Sequence, residues 1–246
     1  MAIKATNLVK IYDNRTVVNE NTFDVNPGEV VGLLGPNGAG KTTTFYMIVG
    51  LVKPNSGTIE LDGIDVTNKA MHERAKAGIG YLPQETSIFR RLTVEENIKL
   101  VLEMNDKLSP KEKAEKLEEL LDDFGVTRLR DVSSVKLSGG ERRRVEIARA
   151  LAASPKYILL DEPFTGIDPI AIQEIQTHIR KLTEKNIGVL ITDHNPKATL
   201  SITDRVNLIF DGKIKISGNS RDVANNPDAK KFYLGEDFKL WWNIKI

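Results

Sequence analysis

The chain has 246 residues, 35 Lys and Arg against 34 Asp and Glu, and 40% hydrophobic content, the length and composition of one medium globular domain or two small ones. It has no cysteine, which excludes disulfides, thiol catalysis and a cysteine-ligated zinc site. A formal charge of +1 is not the balance of a protein that lives on nucleic acid. No apolar run approaches the ~18 residues that a membrane span requires. Met1 to Asn7 lack the apolar core of a secretory signal, so the expected compartment is cytosolic.

Residues 1 to 35 read as short strands separated by the turn clusters Asp13-Asn14-Arg15 and Asn26-Pro27-Gly28, ending in the buried-type run Val30-Val31-Gly32-Leu33-Leu34. After a glycine-rich loop, Lys41 to Leu51 reads as a helix stopped by Lys53-Pro54-Asn55-Ser56-Gly57. A β segment from Thr58 to Val66 follows, broken at Asp62-Gly63. From about residue 87 to 153 the pattern is mostly helical. Ser109-Pro110-Lys111-Glu112 caps one helix, whose buried face carries Ala114, Leu117, Leu120, Leu121 and Phe124. No Gly/Ser-rich linker flanks this stretch, which reads as a helical subdomain inserted in an α/β domain. A strand from Tyr157 to Leu160, a helix from Pro169 with Ile172, Ile175, Ile179 and Leu182 inward, and a strand from Gly188 to Thr192 form a βαβ pattern. Asn207 to Phe210, Asp211-Gly212 and Lys213 to Ser217 give the strongest hairpin signal.

Gly35-Pro36-Asn37-Gly38-Ala39-Gly40-Lys41-Thr42 matches G-x-x-x-x-G-K-[ST] between a buried-type strand and a helix, the context that motif requires. Glycines let the backbone wrap a polyphosphate, amides and the helix N-terminus face its charge, Lys41 reaches the β/γ-phosphates, and the Thr42 hydroxyl suits Mg²⁺. The pattern therefore predicts binding of a nucleoside triphosphate. Ile158-Leu159-Leu160-Asp161-Glu162 is an apolar strand ending in two carboxylates. Beside a phosphate loop that suits Asp161 as a holder of Mg²⁺ and Glu162 as the group that polarises the attacking water. Ser138-Gly139-Gly140-Glu141 opens a second helix with capping-box spacing and offers a second potential phosphate receptor.

In this order the motifs resemble the nucleotide-binding subunit of an ABC transporter over essentially the whole chain. The fold implied is an α/β P-loop NTPase with a RecA-like core, an antiparallel β subdomain and an inserted helical subdomain. That is a single ATPase domain over residues 1–240, with residues 241–246 as a tail. The resemblance puts Gln84 in the Q-loop position, Asp168 in the D-loop position, His194 in the switch position and Tyr12 where an aromatic stacks on adenine. It implies that ATP is held by Gly35, Pro36, Asn37, Gly38, Ala39, Gly40, Lys41, Thr42 and Thr43 of one chain and Ser138, Gly139 and Gly140 of another, hence a homodimer. Mg²⁺ is expected at Thr42, Gln84 and Asp161, and catalysis at Glu162, His194 and Gln84. Thr165 stands where small residues are common, and little is expected of it.

Gly38 to Tyr46, Gly78 to Leu92, Leu137 to Leu151, Ile191 to Asn195 and Tyr233 to Phe238 narrow the resemblance to the ATPases of lipopolysaccharide export, although each piece recurs in importers of branched-chain amino acids. The narrower resemblance implies two inner-membrane transmembrane subunits received around Phe89, Arg90 and Arg91, a single-span periplasmic bridge component, a cytoplasmic location peripheral to the inner membrane, and Tyr233 to Phe238 packed in the dimer interface. An importer ATPase and a soluble regulatory ATPase of the same family are the alternatives. Arg142-Arg143-Arg144 raises nucleic acid as a partner, but nearby acidic residues and the net charge favour a solvated helix face and no nucleic acid. His72 and His178 read as solvated. Trp241-Trp242 in the tail suggests an added contact, a membrane-facing anchor or a folded-back end.

Overall fold

The computed structural model describes residues 1–240; the tail with Trp241 and Trp242 lies outside the described residues. In chain order the elements are β1 (Ile3–Tyr12), β2 (Arg15–Val25), β3 (Val30–Leu34), α1 (Lys41–Val49), β4 (Ser56–Leu61), β5 (Ile64–Asp65), α2 (Met71–Ala77), β6 (Ile79–Leu82), α3 (Val94–Glu103), α4 (Pro110–Asp123), α5 (Gly139–Ala152), β7 (Tyr157–Asp161), α6 (Pro169–Glu184), β8 (Gly188–Thr192), α7 (Pro196–Leu200), β9 (Arg205–Phe210), β10 (Lys213–Asn219) and α8 (Ser220–Asn225).

Two sheets organise them. β2-β1-β4-β5 is antiparallel, and β10-β9-β3-β8-β7-β6 is parallel apart from the hairpin strand β10. β1 and β2 span 10 and 11 residues, longer than the short strands the sequence suggests. Register shifts along β1 let Asn7 take a left-handed φ of 49°, so the pairing continues past a residue that reads as a break.

The apolar runs of the central strands follow from coverage on both faces. Ile158 and Leu160 of β7, with Val189 and Ile191 of β8, join the cluster formed by α3, α4, α5 and α6. The alternate residues Tyr157, Leu159 and Leu190 meet Phe45, Met47 and Ile48 of α1, which also packs under the antiparallel sheet through Ile3, Leu8 and Val18. The P-loop helix is thus sandwiched between two sheets. The capping boxes at Ser109 and Ser138 form as their spacing predicts. Among the described residues no helix is long and apolar enough to cross a membrane.

One buried cation fixes the far end of α1. Arg74 of α2 is 1% exposed and donates to the carbonyls of Met47 (2.6 Å), Ile48 (2.7 Å), Thr67 (2.9 Å) and Lys69 (2.9 Å). It satisfies last-turn carbonyls that the helix leaves without partners and sits at the negative end of its dipole. Arg74→Met keeps much of the volume but strands those carbonyls. We expect a loss of about 3 kcal/mol in urea unfolding, and an unchanged midpoint would refute this role.

Candidate active site

The C-terminal ends of adjacent parallel strands meet at one edge of the central sheet, where open α/β sheets bind ligands. β3 runs into the loop at Gly35, β6 into Gln84, β7 into Glu162 and β8 into His194. Side chains separated by up to 110 positions in the sequence therefore converge: Gln84 Nε2 donates to Glu162 Oε2 (2.6 Å), and His194 Nε2 lies 2.6 Å from Glu162 Oε1.

The loop before α1 is built to receive an anion. Gly40, the N-cap residue, sits at φ +102°, and a Cβ there would lie 2.5 Å from the Val17 carbonyl. Gly38, at φ +76°, has open space where its Cβ would be. α1 begins with no side-chain cap and no carboxylate in its first turn, whereas α3, α4, α5 and α6 are capped by Thr93, Ser109, Ser138 and Asp168. Its first amides are left for a ligand. Lys41 folds back to donate to the carbonyls of Gly35 (2.7 Å) and Pro36 (3.0 Å). Burial pulls its pKa down, against the opposing charges of Glu162 and Asp161.

The carboxylates face that loop. Asp161 is 1% exposed; its Oδ2 accepts from Tyr81 Oη at 3.4 Å, while its Oδ1 is buried with no hydrogen-bond partner. Thr192 Oγ1, on the paired residue of β8, is buried without a partner as well. Burial, and then the charge of Glu162, push Asp161 up to about 6. Glu162 is 5% exposed and takes a left-handed φ of 48°. Its Oε2 also accepts from Thr165 Oγ1 at 3.1 Å. Asp193, raised mainly by burial, accepts from the amides of Phe164 and Asn195, each at 2.8 Å, and so ties the segment after Glu162 to the segment bearing His194.

An orphaned carboxylate oxygen, together with Thr42 and Gln84, is an oxygen-donor set suited to Mg²⁺. Among the described residues no group of three or more His, Cys, Asp or Glu could hold a metal.

Of the remaining predicted residues, Tyr233 has a hydrogen bond with the backbone of Gly35 in the phosphate loop, and the others make contacts of their own. Ser138 caps α5, donating to Glu141 Oε2 (2.7 Å), and among the described residues no hydrogen bond joins Ser138, Gly139 or Gly140 to the loop at Gly35–Thr43. A Cβ on Gly140 would come 2.5 Å from that of Ala171, so glycine permits the close approach of α5 and α6. Asp168 caps α6 through the amides of Ile170 and Ala171. Tyr12 is exposed at the end of β1, with Lys10 Nζ 5.0 Å from its ring centre. Tyr233, Leu234 and Phe238 pack on the chain's own cluster around Leu34, Leu200 and Leu208.

Two sequence expectations change. Arg143 does not lie on a solvated face. It is 5% exposed and donates to the carbonyls of Pro83 (2.9 Å) and Asp161 (3.0 Å) and to Glu146 Oε2 (3.2 Å). His178 is not solvated either: it stacks on Phe124 with ring centres 4.9 Å apart, and its Nδ1 is buried without a partner. The sequence reading also missed how the Phe89 loop is held. Glu146 Oε1 accepts from the amides of Ser87 and Ile88, Arg149 donates to Ser87 O and Oγ and stacks 4.9 Å from the Phe89 ring, and Asn97 bonds both backbone groups of Phe89. The one signal for this strut is the i, i+3 pair Arg143 and Glu146 among apolar helix positions.

Comparison with known proteins shows the family. The profile of the ABC transporter family matches residues 18–165, and the chain belongs to that family: it is an ATP-binding cassette that hydrolyses ATP. It is 54% identical over 238 residues to the lipopolysaccharide export system ATP-binding protein LptB of Haemophilus influenzae, covering 97% of this chain and 99% of that protein. Among solved structures it is similar to MJ1267, an ATP-binding cassette of an ABC transporter in its ADP conformation (TM-score 0.85, 30% identity, covering 96% of this chain and all of that one). It is also similar to the dimeric structure of MJ0796, a bacterial ABC transporter cassette (TM-score 0.78, 28% identity, covering 89% of this chain and 99% of that one).

The raised Asp161 carboxyl has a measurable sign. The folded chain holds this proton up to about pH 6, whereas an unfolded chain releases it near 3.9. Ionisation therefore costs stability as pH rises through that window. In buffer free of nucleotide and metal, Asp161→Asn is expected to resist urea better than wild type at neutral pH by on the order of 2–3 kcal/mol. The gain should vanish below roughly pH 4. A variant no more stable than wild type at neutral pH would contradict the assignment.

Proposed function

We propose that this chain is the ATPase subunit that powers lipopolysaccharide export. The observation that carries the reading is the identity of 54% spread over nearly the full length of both chains. In this reading the polyphosphate lies along Gly35, Pro36, Asn37, Gly38, Ala39 and Gly40, against the open amides of α1, with Lys41, Thr42 and Thr43 beneath it and the adenine on Tyr12. Thr42, Gln84 and Asp161 would hold Mg²⁺, which would neutralise phosphate charge when bound.

Glu162 orients the attacking water and takes up its proton, and His194 contacts the terminal phosphate while holding Glu162 Oε1. The contacts at 2.6 Å on each oxygen of Glu162 support this division of labour. General-base catalysis of this kind contributes about 10²- to 10⁴-fold. Ser138, Gly139 and Gly140 complete the site from a second copy, in keeping with their separation from the chain's own phosphate loop. ATP favours the closed pair over the open one, and cleavage removes that preference.

Two inner-membrane subunits dock on the loop at Phe89, Arg90 and Arg91, with a single-span periplasmic component beyond them. The chain is then cytoplasmic and peripheral on the inner membrane, as a single cassette over residues 1–240. Phe89 is 47% exposed although its backbone and ring are held, the character of a preorganised interface anchor.

Glu162→Gln is expected to bind ATP and lose hydrolysis by about 10²-fold or more; hydrolysis at the wild-type rate would remove Glu162 from its role. Purified with ATP from native membranes in mild detergent, the same variant should carry two related multi-spanning proteins and a single-span periplasmic protein, identified by mass spectrometry. Permeases with a periplasmic amino-acid-binding protein would overturn the export reading. Reversing the charges at Arg90 and Arg91 to Glu is expected to cut recovery of membrane partners about tenfold or more, with ATP binding by the isolated chain unchanged. Undiminished recovery would move the docking site elsewhere.

A further inference from the structure

The turn after Glu162 brings a hydroxyl to the carboxylate that the cassette motifs do not call for. Thr165 Oγ1 donates to Glu162 Oε2 at 3.1 Å, the oxygen that Gln84 also holds. The two donors differ in how they are tied to their acceptor. Gln84 is 78 positions away on an exposed loop. Thr165 is three residues away inside one closed turn, with its own amide bonded to the Glu162 carbonyl (3.3 Å), the Glu162 amide bonded to Thr192 O (2.8 Å), and the amide of the buried Phe164 held by Asp193 (2.8 Å). The left-handed φ of Glu162 aims its side chain, and persists because these bonds over-determine the turn. Thr165 is β-branched, so its χ1 is restricted and its hydroxyl is presented to Oε2 at small entropic cost.

We propose that Thr165 is a positioning residue for Glu162. It fixes Oε2 from within the turn and leaves Oε1 for the reacting water and His194. This deepens the reading of Glu162 as general base and rests on it. Whatever displaces the Gln84 loop leaves the Thr165 bond in place, because donor and acceptor move as one piece of backbone. Thr165 itself is exposed, so water replaces part of what its hydroxyl supplies, and its removal weakens catalysis without abolishing it.

The test compares Thr165→Val, which keeps the shape and loses the hydroxyl, with Thr165→Ser, which keeps the hydroxyl, and runs Glu162→Gln beside them in the full chain. Thr165→Val is expected to lower kcat about tenfold with KM for ATP unchanged, and Thr165→Ser to restore kcat to within about twofold of wild type. Affinity for a fluorescent ATP analogue, measured in the Glu162→Gln background, should be the same with and without Thr165→Val. An unaltered kcat in Thr165→Val overturns the proposal, as does a rise in KM with kcat kept, or equal losses in the Val and Ser variants. If Glu162→Gln itself retains wild-type hydrolysis, the reading of the general base falls and the proposal with it. If Glu162→Gln is inactive and Thr165→Val fully active, the proposal alone falls.

Discussion

Asp161 ends, and Glu162 directly follows, a strand whose apolar residues are all buried, so both carboxylates sit away from bulk water and need compensation within the fold. Burial raises Asp161, and the adjacent Glu162 raises it further. The cations nearest them are committed elsewhere: Lys41 bonds two loop carbonyls, and Arg143 reaches a carbonyl of this strand rather than its carboxylates. What remains is a concentration of negative charge with one orphaned oxygen, beside a helix start whose amides lack an acceptor. An anion alone would meet the amides and be repelled by the carboxylates, and a cation alone would meet the reverse. A nucleotide carrying its own divalent cation would satisfy both.

Arg143 joins this centre to the surface. Its guanidinium links the end of β7 to Pro83, one residue before Gln84, and to Glu146, which grips the backbone at Ser87 and Ile88. The chain from Asp161 to the Phe89 loop therefore consists of charge-assisted hydrogen bonds made by two buried side chains of one helix. Such a path is stiff, because losing either Arg143 or Glu146 would leave the other's buried charge without its partner.

The parts of the site legible in the sequence are those written contiguously. Gly35 to Thr42 could be read because strand, loop and helix follow one another, and the boxes at Ser109 and Ser138 because a cap needs only four residues. Arg143 could not be read, because Arg142-Arg143-Arg144 looks like a polar run, and only the depth of α5 separates the buried arginine from its neighbours. α2 escaped notice because its seven residues carry four charges or imidazoles and no apolar period, its placement depending on Arg74 reaching into α1. Thr165 is an ordinary turn residue until the left-handed backbone of Glu162 folds the carboxylate back toward it.

The uncapped start of α1 has a meaning beyond chemistry. The other long helices of this chain close their first turns with their own side chains, while the helix at the centre of the molecule, packed between both sheets, is finished only by what it binds. The ligand is then a structural member, and its free concentration sets part of the folding equilibrium: a hundredfold excess over its dissociation constant adds about 2.7 kcal/mol. A cassette whose loop holds no nucleotide is thus easier to unfold and to degrade than one whose loop is filled.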